Sequence, residues 1–204
     1  MREIGAVVFP GFELLDYFGP LELFGMHKDQ FSQVVLAEAA GPIASAQGPR
    51  VAVDRTLAET ERTDILLVPG GPGTRYEVEN PELLGHLARL AETAEIVASV
   101  CTGSALLAKA GLLDGRRATS NKLAFDWVAA FGPHVIWQRR ARWVEDGRFV
   151  TASGVSAGMD MSLAVIARLL GAKAAEDAAH WAEYTAHWDP DDDPFAVPSP
   201  SAKI

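Results

Sequence analysis

A single cysteine, Cys101, stands between an apolar run ending at Val100 and the small residues Thr102-Gly103-Ser104. Between a buried strand and a helix, it would sit at the carboxyl edge of a sheet, where open α/β folds bind ligands. The positive end of a helix there would favour thiolate, the nucleophilic form. The ordinary alternative is a buried, inert thiol. A second segment, Pro69-Gly70-Gly71-Pro72-Gly73, also follows an apolar run. It is no dinucleotide fingerprint, because Tyr76 stands where the third glycine is needed, and no Gly-Lys-Ser/Thr follows it. Its backbone N–H groups, at Gly70 and Gly71, could stabilise an oxyanion, or the segment could be a plain turn. Asp16 is flanked by Leu14-Leu15 and Tyr17-Phe18. Burial would raise its pKa and let it share a proton with a thiolate, unless it simply caps a helix.

Two competing constellations are weaker. Gly154-Val155-Ser156-Ala157-Gly158 fits the Gly-x-Ser-x-Gly elbow, with Asp160, Asp177, His180 and His187 downstream. The chain after Ser156 has little room for the later strands that carry the acid and histidine of such a triad. His180, Glu183 and His187 would share one helix face, but the spacing is not that of a His-Glu-x-x-His zinc site. No metal and no cofactor is expected.

These residues need elements to hold them. Ile4–Phe9, Gln33–Glu38, Asp64–Val68, Glu95–Val100 and Phe149–Ala152 read as strands. Arg117–Ser120, Val135–Trp137 and Ala141–Val144 read as shorter extended pieces, and Val51–Val53 as a small excursion. Helices are expected at Leu14–Met26, broken or restarted at Gly19-Pro20, at Pro81–Ala94 with Asn80 as N-cap, and at Thr102–Ala110. Three more fall at Lys122–Phe131, Met159–Leu170 and Ala174–Ala186. Asp146-Gly147 signals a tight hairpin. Strands alternating with helices predict an α/β fold, a doubly wound, mostly parallel sheet sandwiched by helices. Residues 1–188 are expected to form one domain, and 189–204, rich in Asp, Pro and Ser, an irregular tail.

Length and charge narrow the function. The 204 residues are 49% hydrophobic and 22% charged, which suits one domain with a real core. A net charge of −9 disfavours nucleic acid and anionic membranes as partners. No apolar stretch is long enough to span a bilayer, and the N-terminus does not read as a signal peptide. One cysteine allows no disulfide within the chain. A cytoplasmic protein acting on a small molecule is expected.

Four segments together resemble the ThiJ/PfpI superfamily, of class I glutamine amidotransferase-like, flavodoxin-like fold. They are Phe9-Pro10-Gly11-Phe12-Glu13-Leu14-Leu15-Asp16, Leu67-Val68-Pro69-Gly70-Gly71-Pro72-Gly73, Ser99-Val100-Cys101-Thr102-Gly103-Ser104 with the following Ala110 to Thr119, and Ser153-Gly154-Val155-Ser156-Ala157-Gly158-Met159-Asp160. Family members carry the last as a structural turn. Within the superfamily the chain looks most like the isocyanide hydratase branch, whose nucleophile is followed by Thr and partnered by Asp, as Cys101, Thr102 and Asp16 are. Other branches use a Glu in the first loop, and several use a His about twenty residues after the cysteine, where this chain has Asn121.

The resemblance implies a lyase. Cys101 would attack the isocyanide carbon and Asp16 would supply a proton. Thr102 Oγ1 would position water, and the N–H groups of Gly71 and Thr102 would stabilise charge. Asn121, Lys122 and Gly154 would line the pocket. It also implies a homodimer. The alternatives are glyoxalase-like conversion of 2-oxoaldehydes, a redox or stress-response protein with an oxidisable Cys101, and the ligand-sensing part of a regulator.

Overall fold

The chain's most apolar runs become the middle of a sheet. Its structure is a computed structural model and describes residues 1–196. In chain order the first elements are β1 (Arg2–Val7), α1 (Leu14–Gly25), β2 (Phe31–Ala37), β3 (Pro42–Ala44), β4 (Arg50–Ala52), β5 (Arg55–Thr56) and β6 (Ile65–Val68). There follow α2 (Thr74–Glu77), α3 (Pro81–Thr93), β7 (Ile96–Ser99), α4 (Gly103–Lys109), β8 (Arg117–Ala118), α5 (Phe125–Ala129) and β9 (Ile136–Trp137). The last are β10 (Trp143–Asp146), β11 (Phe149–Ala152), α6 (Ala157–Leu170) and α7 (Ala172–Trp181).

Seven strands join in the order β10-β11-β7-β6-β1-β2-β5. Every neighbouring pair is parallel except the β10–β11 hairpin. All residues of β6 and β7 are buried, as a parallel strand covered on both faces requires. Helices α1, α6 and α7 pack together, and α2 to α5 form a second group around α4. The chain steps outward from β1 to β2, then returns past β1 to β6. That reversal opens a crevice at the carboxyl ends of β1, β6 and β7.

Local chemistry explains most boundaries. Asn80 Oδ1 accepts from the N–H groups of Glu82 (3.1 Å) and Leu83 (3.3 Å), and Pro81 follows as the first residue of α3. Leu83, Leu87 and Leu90 then face the core. Gly147 takes φ +61 in the β10–β11 turn.

Several expectations are corrected. Gly19-Pro20 does not break α1, which runs through it. Tyr17, Leu21, Leu23 and Phe24 are buried, and Gly19 lets Met159 of α6 pack so close that a Cβ would stand 2.8 Å from Met159 Cγ. Tertiary packing overrides the local cost of proline. The helix expected over 122–131 shrinks to α5, because Asn121 and Lys122 are committed to other contacts. The helix expected over 174–186 begins earlier and stops at Trp181, and Glu183 is left-handed at φ +48. Strand β5 and helix α2 had no sequence signal strong enough to find them. Residues 189–196 are irregular yet attached: Arg142 N–H donates to Pro190 O (2.7 Å), and Asp193 is buried. The rest of the expected tail, 197–204, lies outside the described residues.

Candidate active site

Strand β7 delivers Cys101 to a strained turn. Its φ is +58, a region few non-glycine residues occupy unless their surroundings force it. The surroundings are specific. Cys101 N–H donates to Ser153 O (2.9 Å), and Cys101 O accepts from Ser104 Oγ (3.0 Å) and Ser120 Oγ (2.9 Å). Gly70 must be glycine, since a Cβ there would stand 2.5 Å from Thr102 N and 2.9 Å from Cys101 Cβ.

Asp16 comes in from α1 with its carboxyl wholly buried. Oδ2 accepts from Gly70 N–H (2.9 Å), and Oδ1 has no hydrogen-bond partner among the described residues. Burial pushes this carboxyl up to about 7, against the pull of the Gly70 N–H; Glu13 adds to the rise, and the Cys101 thiol opposes it. Burial, and then the Asp16 carboxylate, push the Cys101 thiol up to about 12. The N–H groups of Thr102 and Val155 and the Asn121 side chain act in the opposite direction. The thiolate expected from the start of α4 is therefore not the resting form; burial and a facing carboxylate outweigh that short helix. Each of the two groups shifts the other's proton affinity.

The remaining expected residues converge here, with changed duties. Gly70 and Gly71 lie at the site, but their N–H groups are taken, the first by Asp16 and the second by Thr102 Oγ1 (3.0 Å). Thr102 Oγ1 also lies 3.0 Å from Thr74 Oγ1, which donates to Gly71 O at 2.7 Å. The Thr102 hydroxyl thus ties the glycine loop to the Cys101 turn. Asn121 Oδ1 accepts from Ala124 N–H (3.0 Å), which turns its Nδ2 toward Gly154 and the thiol. Lys122 turns its ammonium away, donating to Thr119 Oγ1 (2.9 Å) and Ala141 O (2.6 Å).

Sequence reasoning missed Val155. It is β-branched yet holds φ +44, and its N–H is directed at the Cys101 sulfur. No residue-type signal marks a backbone donor. The cleft over Cys101 has a volume of about 400 Å³ and is walled by Glu13, Gly71, Arg75, Thr102, Asn121 and Val155.

The competing constellations do not assemble. The left-handed residue of the Gly-x-Ser-x-Gly turn is Val155; Ser156 has φ −65 and its Oγ accepts from Arg142 Nη2 (3.3 Å). Asp160 is spent on Arg142 and Tyr184, Asp177 pairs with Lys173, and His180 is exposed. Because α7 ends at Trp181, the common helix face for His180, Glu183 and His187 does not exist. No cluster of three His, Cys, Asp or Glu among the described residues could hold a metal ion. No described helix is long and apolar enough to cross a membrane.

A doubly wound sheet with a cysteine on a strained strand-to-helix turn, facing a buried carboxylate, defines an α/β protein of the cysteine-elbow kind. The DJ-1/PfpI family pattern matches residues 2–168, and the chain belongs to that family. It is 32% identical over 174 residues to isonitrile hydratase of Pseudomonas putida, covering 85% of this chain and 75% of that one. It is 30% identical over 169 residues to the HTH-type transcriptional regulator CdhR of Pseudomonas aeruginosa, covering 81% of this chain but only 50% of the regulator. A ThiJ/PfpI family protein from Pseudomonas syringae superposes with a TM-score of 0.84 at 32% identity, over 91% of this chain and 76% of that one.

Proposed function

We propose that the protein is a hydro-lyase that hydrates an isocyanide (isonitrile), R–N≡C, to the N-substituted formamide, with Cys101 as nucleophile and Asp16 as proton carrier. One observation carries the reading: a wholly buried Asp16 carboxyl, held through one oxygen by Gly70 N–H, faces the Cys101 thiol. The 32% identity to an isonitrile hydratase supports it.

Ionised Asp16 takes the thiol proton as sulfur bonds to the terminal isocyanide carbon. The carboxyl then returns that proton to the same carbon, whose lone pair receives it, giving the thioimidate R–N=CH–S–Cys101. Water adds to this carbon, and one water proton goes to nitrogen. The C–S bond breaks, the other proton returns to sulfur through Asp16, and R–NH–CHO leaves. During attack, charge on sulfur is met by the N–H groups of Thr102 and Val155 and by Asn121 Nδ2. Gly70 and Gly71, whose N–H groups are engaged, hold Asp16 and Thr102 in place instead of serving as oxyanion donors. Asn121 has no basic nitrogen, so it cannot carry the proton, and that task is assigned to Asp16.

Asp16→Asn preserves shape and can still accept from Gly70 N–H. It is expected to lower kcat for isocyanide hydration by roughly 10²–10⁴-fold, the usual worth of a positioned acid–base group. Unchanged turnover in a folded Asp16→Asn protein overturns the assignment.

A further inference from the structure

A second cavity adjoins the Cys101 cleft and shares Asn121 and Val155 with it. Its volume is about 310 Å³, and Lys122, Leu123, Ser153, Gly154, Ser156 and Phe195 complete its wall. The lining is mostly carbon. The Lys122 ammonium is drawn off to Thr119 Oγ1 and Ala141 O, and the Asn121 amide is committed to Ala124 N–H and the thiol. Ser153 is almost wholly buried and the Ser156 hydroxyl accepts from Arg142 Nη2, so the wall is chiefly Leu123, Val155, the Lys122 stem and the Phe195 ring.

Phe195 is held there by a built anchor. Asp193, 3% exposed, lies 3.8 Å from Lys122 Nζ and 3.6 Å from Arg142 Nη1. Its N–H donates to Arg140 O (3.0 Å), its Oδ1 accepts from Phe195 N–H (3.0 Å), and its carbonyl accepts from Ala196 N–H (2.8 Å). A buried carboxylate between two cations fixes the backbone hook that sets Phe195 over the cavity, while 71% of Phe195 stays exposed. An aromatic ring so exposed adds little to the core, so the anchor serves what lies beneath the ring.

We infer that this cavity is a binding subsite for the apolar group carried by the reacting molecule, and that Phe195 and Leu123 set the preferred size of that group. The inference rests on the isocyanide reading for the reaction, where the group is R of R–N≡C, but not for the presence of the subsite. A molecule bonded to Cys101 sulfur can extend past Asn121 and Val155, which both cavities share, into the apolar one. A cyclohexyl or phenyl ring suits about 310 Å³, whereas a methyl group leaves it nearly empty.

Two readings of one comparison separate the subsite from the reaction. Cyclohexyl and methyl isocyanide are given to the wild-type protein, Phe195→Ala and Phe195→Leu, and kcat and KM are measured apart. The wild type should favour cyclohexyl. Phe195→Ala should lose about tenfold in kcat/KM on cyclohexyl through KM, with methyl unchanged, and Phe195→Leu should restore part of the loss. In parallel, the one thiol of the chain, Cys101, is alkylated with N-methyl-, N-cyclohexyl- and N-phenylmaleimide, which needs no turnover. Faster labelling by the ring-bearing maleimides, abolished in Phe195→Ala, supports the subsite even if no isocyanide is hydrated. Equal loss on large and small probes, or no change of preference, overturns it.

Discussion

At the scale of single residues, burial holds the protons on the proposed catalytic pair, Asp16 and Cys101. Asp16 keeps its proton to about 7 and Cys101 to about 12, both chiefly through burial. Attack requires the singly ionised pair, with carboxylate ready to take the thiol proton. The kcat/KM for a small isocyanide is therefore expected to rise with pH through about 7 as Asp16 ionises. A pH profile flat from 6 to 8 would contradict Asp16 as proton carrier. The same burial costs stability. A carboxyl whose folded pKa lies above its unfolded value binds more protons folded than unfolded between the two. Stability therefore falls as pH rises from the usual carboxylate range to about 7. Asp16→Asn removes that loss. It is expected to stabilise the protein at pH 8 by as much as about 4 kcal/mol, with the gain vanishing near pH 4. Thermal melts of both proteins at the two pH values measure it. A residue whose removal lowers activity but raises stability is one kept for chemistry.

At the scale of elements, the site is where loops from β1, β6, β7 and β11 are laced together. Glu13 N–H donates to Gly70 O (2.8 Å) and Gly73 N–H to Gly11 O (3.0 Å), so the first loop and the glycine loop move as one. Gly71 has φ +120, and a Cβ on it would stand 2.4 Å from Glu13 N. Gly71→Ala is expected to cost about 2–4 kcal/mol and to displace Asp16 and Thr102 together, read as a lower urea midpoint with loss of turnover. This lacing also marks what the sequence could reveal. The meeting of Cys101, the Gly70-Gly71 turn and Asp16 was legible because each depends on side-chain type: a thiol and a missing Cβ after strand ends, and an acid among apolar neighbours at the start of α1. The sheet was legible because β6 and β7 are unbroken apolar runs. Val155 was not, because its contribution is a backbone N–H aimed by a conformation its side chain disfavours. The tie from Thr102 to Gly71 and Thr74 was not legible because those partners are remote in sequence. The ends of α5 and α7 were misplaced because contacts, not propensity, stop them.

Across the whole molecule, one buried ion cluster joins the sheet, α6 and the C-terminal segment. Arg142 meets Asp160 at 2.6 Å and Asp193 at 3.6 Å, and Asp160 also accepts from Tyr184 Oη (2.8 Å) and His187 N–H (2.9 Å). Removing one partner of a buried pair strands the other charge. Arg142→Met is expected to destabilise by about 3–5 kcal/mol and to loosen the segment carrying Phe195, seen as earlier unfolding and faster proteolysis near the C-terminus. The acidic net charge of −9 disfavours nucleic acid and anionic membranes as partners. Family membership alone spans a hydratase and a regulator, so the reaction must be read directly. The decisive measurement is formamide formation from cyclohexyl isocyanide by the purified protein beside Cys101→Ala. The wild type should produce formamide steadily and the variant none. Formamide from both proteins at the same rate, or from neither while lactate forms from methylglyoxal, would contradict the hydratase reading.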